Sequence, residues 1–341
     1  MSAAAVFATY VHDINPVLWP ITDAIQLRWY GLAYLAGFVA AFFLLQHLGR
    51  RNLWVLEPSK AGDFIAAMAI FGVFLGGRLG YLFLYHLPSA GWGTLLSDPL
   101  IVIRVWEGGM ASHGGILGIV IFTWFYSRKH KVSWTGLGDG VVVVAPIGLF
   151  FGRIANFING ELYGRVTEGV AWAVKFPLSL IHEPMTSQFR TKMALAEVDK
   201  DLAKYGDQMT VEQVAAAART NPEVRDVLAK HLPDRHPSQI YEALLEGALL
   251  FAILLFVRLR FPKAPHGTLT ALFFGCYAIF RILGEQYREP DSAMIWIFSK
   301  GQFYSLFMIL AAISFCWFAW KGRGINTLES DKKAGKAQKP A

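Results

Sequence analysis

The chain has 341 residues, of which 54% are hydrophobic and 17% are charged, and its formal net charge is +7. A soluble domain usually has about a quarter of its residues charged, and several apolar runs here approach the ~20 residues that cross a bilayer. Many basic residues lie in short clusters beside these runs, which is typical of a membrane-orientation signal. The composition therefore argues against a soluble enzyme and a nucleic-acid-binding protein, and it predicts a polytopic helical membrane protein.

Seven apolar runs can be drawn as membrane spans in chain order. They cover residues 28–48, 63–85, 109–127, 137–158, 239–257, 267–285 and 301–320. The third run is short and rich in glycine at its start. No internal repeat is visible, which disfavours a transporter built from inverted repeats. The predicted fold class is an all-α polytopic membrane protein with about seven transmembrane helices and a small external head between spans four and five.

Lysine and arginine are concentrated in the loops after spans one, three, five and seven. These loops contain the stretches GRRNLW, SRKHK, VRLRFPK and KGRG. Cytoplasmic loops carry an excess of Lys and Arg, so the N-terminus is predicted outside and the C-terminus in the cytoplasm. The N-terminus lacks the basic region of a cleaved signal peptide, and the first span is expected to be retained.

Four segments follow one another along the chain. Residues 1–158 hold spans one to four, 159–236 form the external head, 237–321 hold spans five to seven, and 322–341 form a basic cytoplasmic tail. Residues 187–231 have the pattern of polar helix. The lysine-rich tail is expected to be disordered.

The two cysteines, Cys276 and Cys316, lie inside apolar runs. They give neither a disulfide framework nor metal-ligand spacing. The sequence has no P-loop, dinucleotide motif or GxSxG elbow. We therefore predict no metal site and no cofactor, and an intramembrane serine protease is disfavoured.

Polar groups lie near the outer ends of five predicted spans, at one depth. They are Arg28, Tyr30, Arg78, His113, Arg153, Asn156, Arg281 and Glu285. A centrally placed Arg costs about 2.5–3.5 kcal/mol on insertion scales, and less near the interface. Each Arg could snorkel separately to the headgroups, but Asn156, His113 and Glu285 are too short to do so. A shared polar cavity open to the outside accounts for the whole set, whereas Asp63 and Asp139 lie at inner span ends, where capping is expected.

Helical spacing supports this cavity. Arg153 and Asn156 are three residues apart on one face, and Arg281 and Glu285 are one turn apart, as an ion pair would be. A plain structural salt bridge is the alternative for that pair. Tyr277 precedes Arg281 by one turn and extends the same stripe.

Several arginines favour an anionic ligand, and Arg suits phosphate through paired hydrogen bonds. A site at the depth of the outer leaflet is open to lipids, so a phospholipid headgroup is a natural ligand. His113 lies in the glycine-rich stretch GGMASHGG and is a candidate proton acceptor. The residues alone predict an outward-facing, anion-binding membrane site with one candidate base.

Residues 152–164, GRIANFINGELYG, resemble the signature of the bacterial prolipoprotein diacylglyceryl transferase family, Gly-Arg-x-Gly/Ala-Asn-Phe-x-Asn-x-Glu-x-x-Gly. Every fixed position matches. The stretches LRWYGLAY, HGGILG, HPSQIYEALLEG and FRILGEQYREPD extend the resemblance over nearly all of the membrane region. Residues 183–233 form a longer connection than is usual in the family, which leaves the fold and role of the head open.

The resemblance implies a transferase of the bacterial inner membrane that performs the first step of lipoprotein maturation. Its partners are phosphatidylglycerol and a prolipoprotein signal peptide with a lipobox cysteine, which receives the diacylglyceryl group as a thioether while glycerol phosphate leaves. Two other functions stay open. A carrier or channel for an anionic solute predicts polar residues through the full bilayer depth, and a lipid-binding scaffold needs the cations but neither His113 nor Glu285.

The resemblance also suggests a role for each matched residue. Arg153 and Arg281 are predicted to stabilise the headgroup and the leaving phosphate, and His113 to take the thiol proton. Glu285 is the alternative base, or the group that orients Arg281. The predicted substrate-binding residues are Tyr30, Asn156, Asn159, Glu161, Gly164, His236, Tyr241 and Tyr277.

Overall fold

The computed structural model describes residues 9–22, 26–104, 108–290 and 296–322, and helices dominate it. The helices are α1 (Trp29–Arg50), α2 (Pro58–Ala90), α3 (Gly93–Ser97), α4 (Ser112–His130), α5 (Trp134–Asn159), α6 (Met185–Val198), α7 (Lys200–Ala203), α8 (Val211–Thr220), α9 (Pro222–His231), α10 (Ser238–Arg260), α11 (Thr268–Glu285) and α12 (Lys300–Lys321). Short 3-10 helices occur at Pro99–Val102, Pro177–His182 and Gly206–Gln208.

Four short strands form two small sheets in the described part of the chain. Strand β1 (Tyr10–Val11) pairs in parallel with β4 (Val174–Lys175). Strand β2 (Val17–Pro20) pairs antiparallel with β3 (Gln26–Arg28), which leads directly into α1. The β1–β4 pair attaches the N-terminal segment to the chain that follows α5.

Six helices in the described ranges are long and apolar enough to cross a membrane. They are α1, α2, α5, α10, α11 and the part of α12 from Gly301 to Lys321. The predicted span 109–127 corresponds to α4, a helix of 19 residues that is not among the six. Ser112 and His113 at its start and Arg128 and Lys129 near its end lower its hydropathy. The chain is thus an all-α polytopic membrane protein, and the seventh span stays a prediction.

Packing divides the chain into two compact units. The first comprises Met1–Gly37, Pro146–Phe251 and Gly275–Ile309, and the second comprises Phe38–Ala145, Ala252–Phe274 and Leu310–Ala341. The four segments predicted in chain order are a different kind of division and stay a prediction. The predicted tail lies outside the described residues from position 323 onward.

Helices α6 to α9, which lie in the first unit, pack around a core of their own. Its buried residues are Val11, Leu180, Leu195, Leu202, Met209, Val214, Ala218, Val224, Leu228 and Leu232. Side-chain caps fix where three of these helices begin: Asp199 caps α7, Thr210 and Gln213 form a capping box at α8, and Asn221 caps α9 ahead of Pro222. Burying a Leu or Val side chain contributes about 1.5–3 kcal/mol, so this segment is a folded element and not an unstructured linker.

Glycines allow α2 and α4 to approach closely in the second unit. Gly76 and Gly80 face Gly114 and Gly118, and a Cβ atom built on Gly76 would come within 2.8 Å of the Cα of Gly118. Small residues four apart are a common device for close packing of membrane helices. The glycines that follow His113 therefore have a packing role, and the His113 side chain itself is exposed.

Two buried polar residues of the second unit each hold separate segments of the chain together. Arg78 is buried and donates hydrogen bonds to the backbone carbonyls of Ile101 and Gly108, with Nη distances of 2.5 Å, and to that of Gly109. Asp139 accepts hydrogen bonds from the N–H groups of Gly267 and Thr270, so it caps the start of α11 and not its own helix. Because these carbonyl partners offset the cost of burying Arg78, a shared cavity is not required to explain this residue.

Candidate functional site

The first unit contains a network of buried charged side chains, part of which comes from α5 and α10. Arg153 on α5 donates through Nε and Nη2 to Oε2 of Glu246, at 3.3 and 3.0 Å. Its Nη1 lies 3.0 Å from Oε2 of Glu242. Both carboxylates are on α10, one helical turn apart, and their side chains are 0% exposed.

Helix α11 and the chain that follows it complete this network. Arg281 donates through Nη1 to Glu242 at 2.6 Å and to Glu246 at 3.5 Å, and through Nη2 to Glu285. Arg288 donates through Nη1 to both oxygens of Glu242, at 3.3 and 3.4 Å. The predicted ion pair between Arg281 and Glu285 is therefore present, as part of a larger network.

Three arginines and three glutamates make the formal charge of this network zero. They are Arg153, Arg281, Arg288, Glu242, Glu246 and Glu285. Removing one partner of a buried ion pair typically costs about 3–5 kcal/mol, because the other charge is left uncompensated. From the sequence, cations were expected to face an anionic ligand, and Glu242, Glu246 and Arg288 were not among the predicted site residues. In this structure, protein carboxylates occupy guanidinium donors that were assigned to the ligand.

Glycines give the charged groups room to meet. A Cβ atom on Gly301, at the start of α12, would lie 2.7 Å from Cδ of Glu285 and 2.9 Å from Nε of Arg281. A Cβ atom on Gly284 would lie 3.3 Å from Cγ of Glu242. Real Cβ contacts are rarely so short, so the sequence uses glycine at both positions to allow close approach to the network.

A second polar cluster lies one turn further along α5. Asn156 is buried and donates to Oε1 of Glu161 at 2.9 Å and to the hydroxyl of Tyr30 at 3.3 Å. Asn159 donates to the same Glu161 oxygen at 3.3 Å. The structure thus brings Tyr30, Asn156, Asn159 and Glu161 together as one hydrogen-bonded group.

The turn after α5 is built from backbone conformations that favour glycine. Gly160 has φ +72° and Leu162 has φ +55°. Side chains from the start of α10 hold this turn: Gln239 donates to the carbonyl of Glu161 at 2.7 Å, and Ser238 donates to that of Leu162 at 3.1 Å. The turn directs Glu161 back towards Asn156.

Gly164 is placed where three chain segments meet. Its N–H donates to the carbonyl of His236 at 2.9 Å, and the next N–H donates to the carbonyl of Tyr287 at 2.8 Å. A Cβ atom on Gly164 would come 2.6 Å from the Tyr287 carbonyl oxygen and closer still to that of His236. Close packing requires a glycine at this position, and the predicted role of Gly164 in substrate binding stays a prediction.

Aromatic side chains surround the same junction. His236, Tyr241 and Tyr287 have ring centroids 5.2–5.8 Å apart in edge-to-face arrangements. The Tyr241 hydroxyl accepts a hydrogen bond from Trp172 Nε1 at 2.7 Å and lies 3.2 Å from His236 Nδ1. Burial lowers the pKa of His236, which favours its neutral form.

Arg235 clamps the chain on either side of this junction. It is 2% exposed, and it donates to Glu289 at 2.8 Å, to Glu183 at 3.1 Å and to the carbonyl of Gly164. Its guanidinium lies 5.3 Å from the ring centroid of Tyr163. Glu183 stands just ahead of α6, so Arg235 links the helical head segment to the chain following α5 and α11.

The predicted site residues divide between the two units. Eleven of the twelve lie in the first unit: Tyr30, Arg153, Asn156, Asn159, Glu161, Gly164, His236, Tyr241, Tyr277, Arg281 and Glu285. Tyr277 is partly buried one turn before Arg281. His113 belongs to the second unit, and its role stays a prediction. Among the described residues, no group of three or more His, Cys, Asp or Glu side chains could hold a metal ion.

The sequence contains a signal that could have identified Glu242 and Glu246 as site residues. Glu242 and Glu246 are acidic residues four apart within a predicted span, where each unpaired charge is costly. Like charges at this spacing also repel each other on a helix. Such a pair requires cations from other helices, and Arg153 and Arg281 were the available partners.

Comparisons with known proteins match almost the whole chain to proteins that share one name. The family model described as prolipoprotein diacylglyceryl transferase matches residues 16–318. A phosphatidylglycerol–prolipoprotein diacylglyceryl transferase of Photorhabdus laumondii is 37% identical over 322 residues, covering 93% of this chain and 96% of the relative. Proteins of the same name from Neisseria gonorrhoeae and Sodalis glossinidius are 38% and 35% identical, covering 91% of this chain and 98% and 94% of their own lengths.

Proposed function

This chain belongs to the prolipoprotein diacylglyceryl transferase family, and we propose that it transfers the diacylglyceryl group of phosphatidylglycerol to the lipobox cysteine of a prolipoprotein. The sulfur of the cysteine thiolate forms a bond to the glycerol carbon of the lipid. The bond from that carbon to the phosphate oxygen breaks, and its electron pair leaves with glycerol phosphate. The proton of the thiol goes to a base and then to solvent.

The observation that carries this proposal is the meeting of Arg153 and Arg281 in one buried network. In the reaction, the phosphate changes from a diester with charge −1 to a monoester with a charge of about −1.5 to −2 at neutral pH. Negative charge therefore develops on the leaving group in the transition state. Two guanidinium groups held in a site of low exposure stabilise such charge strongly, because little solvent must reorganise.

The thiol requires a base, since only the thiolate is an effective nucleophile. His113 is our candidate for this role, because imidazole is the side chain that most often serves as a general base. Glu285 is the alternative. Its contact with Arg281 supports a positioning role, in which it fixes the guanidinium that faces the phosphate.

The remaining first-unit residues are assigned to substrate positioning. The group of Tyr30, Asn156 and Glu161 offers hydroxyl, amide and carboxylate partners to the polar part of the lipid or to the backbone of the signal peptide. The rings of His236 and Tyr241 provide an amphipathic surface of the kind that suits the membrane interface.

We further place the protein in the bacterial inner membrane, with its N-terminus outside. The Lys- and Arg-rich loops after predicted spans one, three, five and seven support this orientation. A reporter fused after Ala341 should be cytoplasmic, and one inserted near Gly206 should be external. Seven spans place the two reporters on opposite sides of the membrane. If both reporters lie on one side, the span count is wrong.

The function is tested with purified protein, labelled phosphatidylglycerol and a lipobox peptide. We expect the label to move to the peptide cysteine through a thioether, and the same peptide with Ser in place of that Cys to stay unlabelled. Arg153→Lys keeps the network neutral but loses the fork of donors, and it should reduce turnover by at least about 10²-fold. Arg50→Ala, which removes a hydrogen bond to Gln46, is the matched control and should keep turnover. Lipid binding without label transfer by the wild type would instead support a lipid-binding protein.

A further inference from the structure

Glu246 contacts both arginines that the proposed reaction uses. Its Oε2 accepts two hydrogen bonds from Arg153, and its Oε1 lies 3.5 Å from Nη1 of Arg281. The side chain is completely buried. Its carboxylate therefore occupies guanidinium donors that a phosphate would also use.

Glu242 contacts the same two arginines, and what distinguishes it from Glu246 is a third cationic partner. Glu242 is also held by Arg288, which anchors it independently of the pair that would face phosphate. Among the described residues, Glu285 pairs with Arg281, and Glu246 pairs with both Arg153 and Arg281. Release of Glu246 would free donors on both arginines, and among the described residues it would break no contact like that between Glu242 and Arg288.

The proposed reaction leaves a product that should bind tightly to the arginines, and a competing carboxylate would help to release it. Because the phosphate gains negative charge on cleavage, the arginines that stabilise the transition state also bind the product more tightly than the substrate. Glycerol phosphate would then leave slowly. A resident anion that competes for the same donors weakens product binding without leaving the guanidinium groups unpaired.

We propose that Glu246 is a positioning residue that holds Arg153 and Arg281 before the lipid binds, gives up their donors to the lipid phosphate, and takes them back to release glycerol phosphate. This inference rests on the proposed function. It assigns to Glu246 a role in product release and headgroup affinity, acting through the arginines, and no direct part in bond cleavage.

The decisive variant is Glu246→Gln, which preserves shape and removes the competing charge. The Kd for glycerol 1-phosphate, measured by titration calorimetry on the full-length protein, should fall about tenfold, since a charge-assisted hydrogen bond contributes that much or more. KM for phosphatidylglycerol should fall, kcat should fall, and a burst of labelled peptide should precede slow steady turnover. Glu289→Gln, which removes a carboxylate paired with Arg235 outside the network, should leave these quantities unchanged.

Two results would overturn the proposal. The first is an unchanged or weaker Kd for glycerol 1-phosphate in Glu246→Gln, which would leave Glu246 with a purely structural role. The second concerns Glu246→Asp, which retracts the carboxylate by one methylene and serves if the Gln variant fails to fold. The Kd of this variant for glycerol 1-phosphate should lie between that of the wild type and that of a site without the competing charge. A Kd equal to that of the wild type would refute the proposal. The binding measurement needs no turnover, so failure of the transferase assay with wild-type protein would be recognised separately.

Discussion

Protonation of His12 should loosen the first unit at mildly acidic pH. The side chain is 4% exposed; its ring stacks on Phe176 at a centroid distance of 5.5 Å and meets Phe157 edge-on at 5.5 Å. Among the described residues, Nε2 has no hydrogen-bond partner. Burial lowers the pKa of His12 from 6.5 to about 4, outweighing the opposing effects of the Phe157 carbonyl and Asp13.

The size of the effect follows from this pKa difference. Because the folded state binds the proton more weakly than the unfolded state, stability from neutral His12 is fully present above pH 6.5 and is lost as the pH falls towards 4. The whole difference corresponds to about 3 kcal/mol, and about 2 kcal/mol is lost by pH 5. Gly160 adjoins the imidazole, since a Cβ atom there would lie 3.0 Å from Nδ1. The turn that carries Glu161 should therefore loosen with His12.

Hydrogen exchange of the full-length protein measures this local opening. Peptides covering residues 9–14 and 171–178 should lose protection between pH 7 and pH 5 in the wild type, after correction for the intrinsic exchange rate. His12→Phe keeps a ring but cannot titrate, so its protection should depend much less on pH. His231→Asn, at an exposed position of the head, is the control and should follow the wild type. Parallel loss of protection in the wild type and His12→Phe would refute the reasoning.

Three further predictions concern the site. Gly301→Ala should reduce turnover at least about tenfold, because its methyl group displaces Glu285 and Arg281. The control Gly93→Ala has open space around its Cβ position and should keep wild-type turnover. Equal activity of the two variants would show that the contact of Gly301 has no part in function. His113→Gln should lose most of its base-dependent rate, keep headgroup affinity and recover partly at high pH; a wild-type pH–rate profile would move the base to Glu285. Gly164→Ala should lower both thermal stability and turnover, since backbone carbonyls cannot yield; an unchanged melting temperature would contradict the packing.

The long apolar helices were predictable from the sequence because a bilayer requires a minimum length of hydrophobic residues. The run 28–48 became Trp29–Arg50, and the run 137–158 became Trp134–Asn159. The pairing of Arg281 with Glu285 was predictable too, because one turn of helix brings the two together.

Contacts between distant chain segments were not predictable in the same way. Arg78 was predicted to belong to the polar site, but the segment after α3 supplies carbonyl partners that no local sequence pattern predicts. Asp139 was expected to cap a helix near the inner end of its span, and the helix that it caps is α11. In both cases the partner is fixed by tertiary packing, and spacing along one helix carries no information about it.

The charged network also explains why α5, α10 and α11 keep one relative rotation in the first unit. The acids Glu242 and Glu246 would repel each other on an isolated α10, and Arg153 alone would be costly in α5. Only the rotation that brings them together cancels both costs. Arg153→Gln should therefore reduce accumulation of folded protein, because two buried carboxylates lose a partner. The double variant Arg153→Gln with Glu246→Gln restores neutrality and should accumulate better than the single variant, while both lack turnover. If the single variant accumulates as well as the wild type, the network has no part in fixing the helices, and its charges serve the ligand alone.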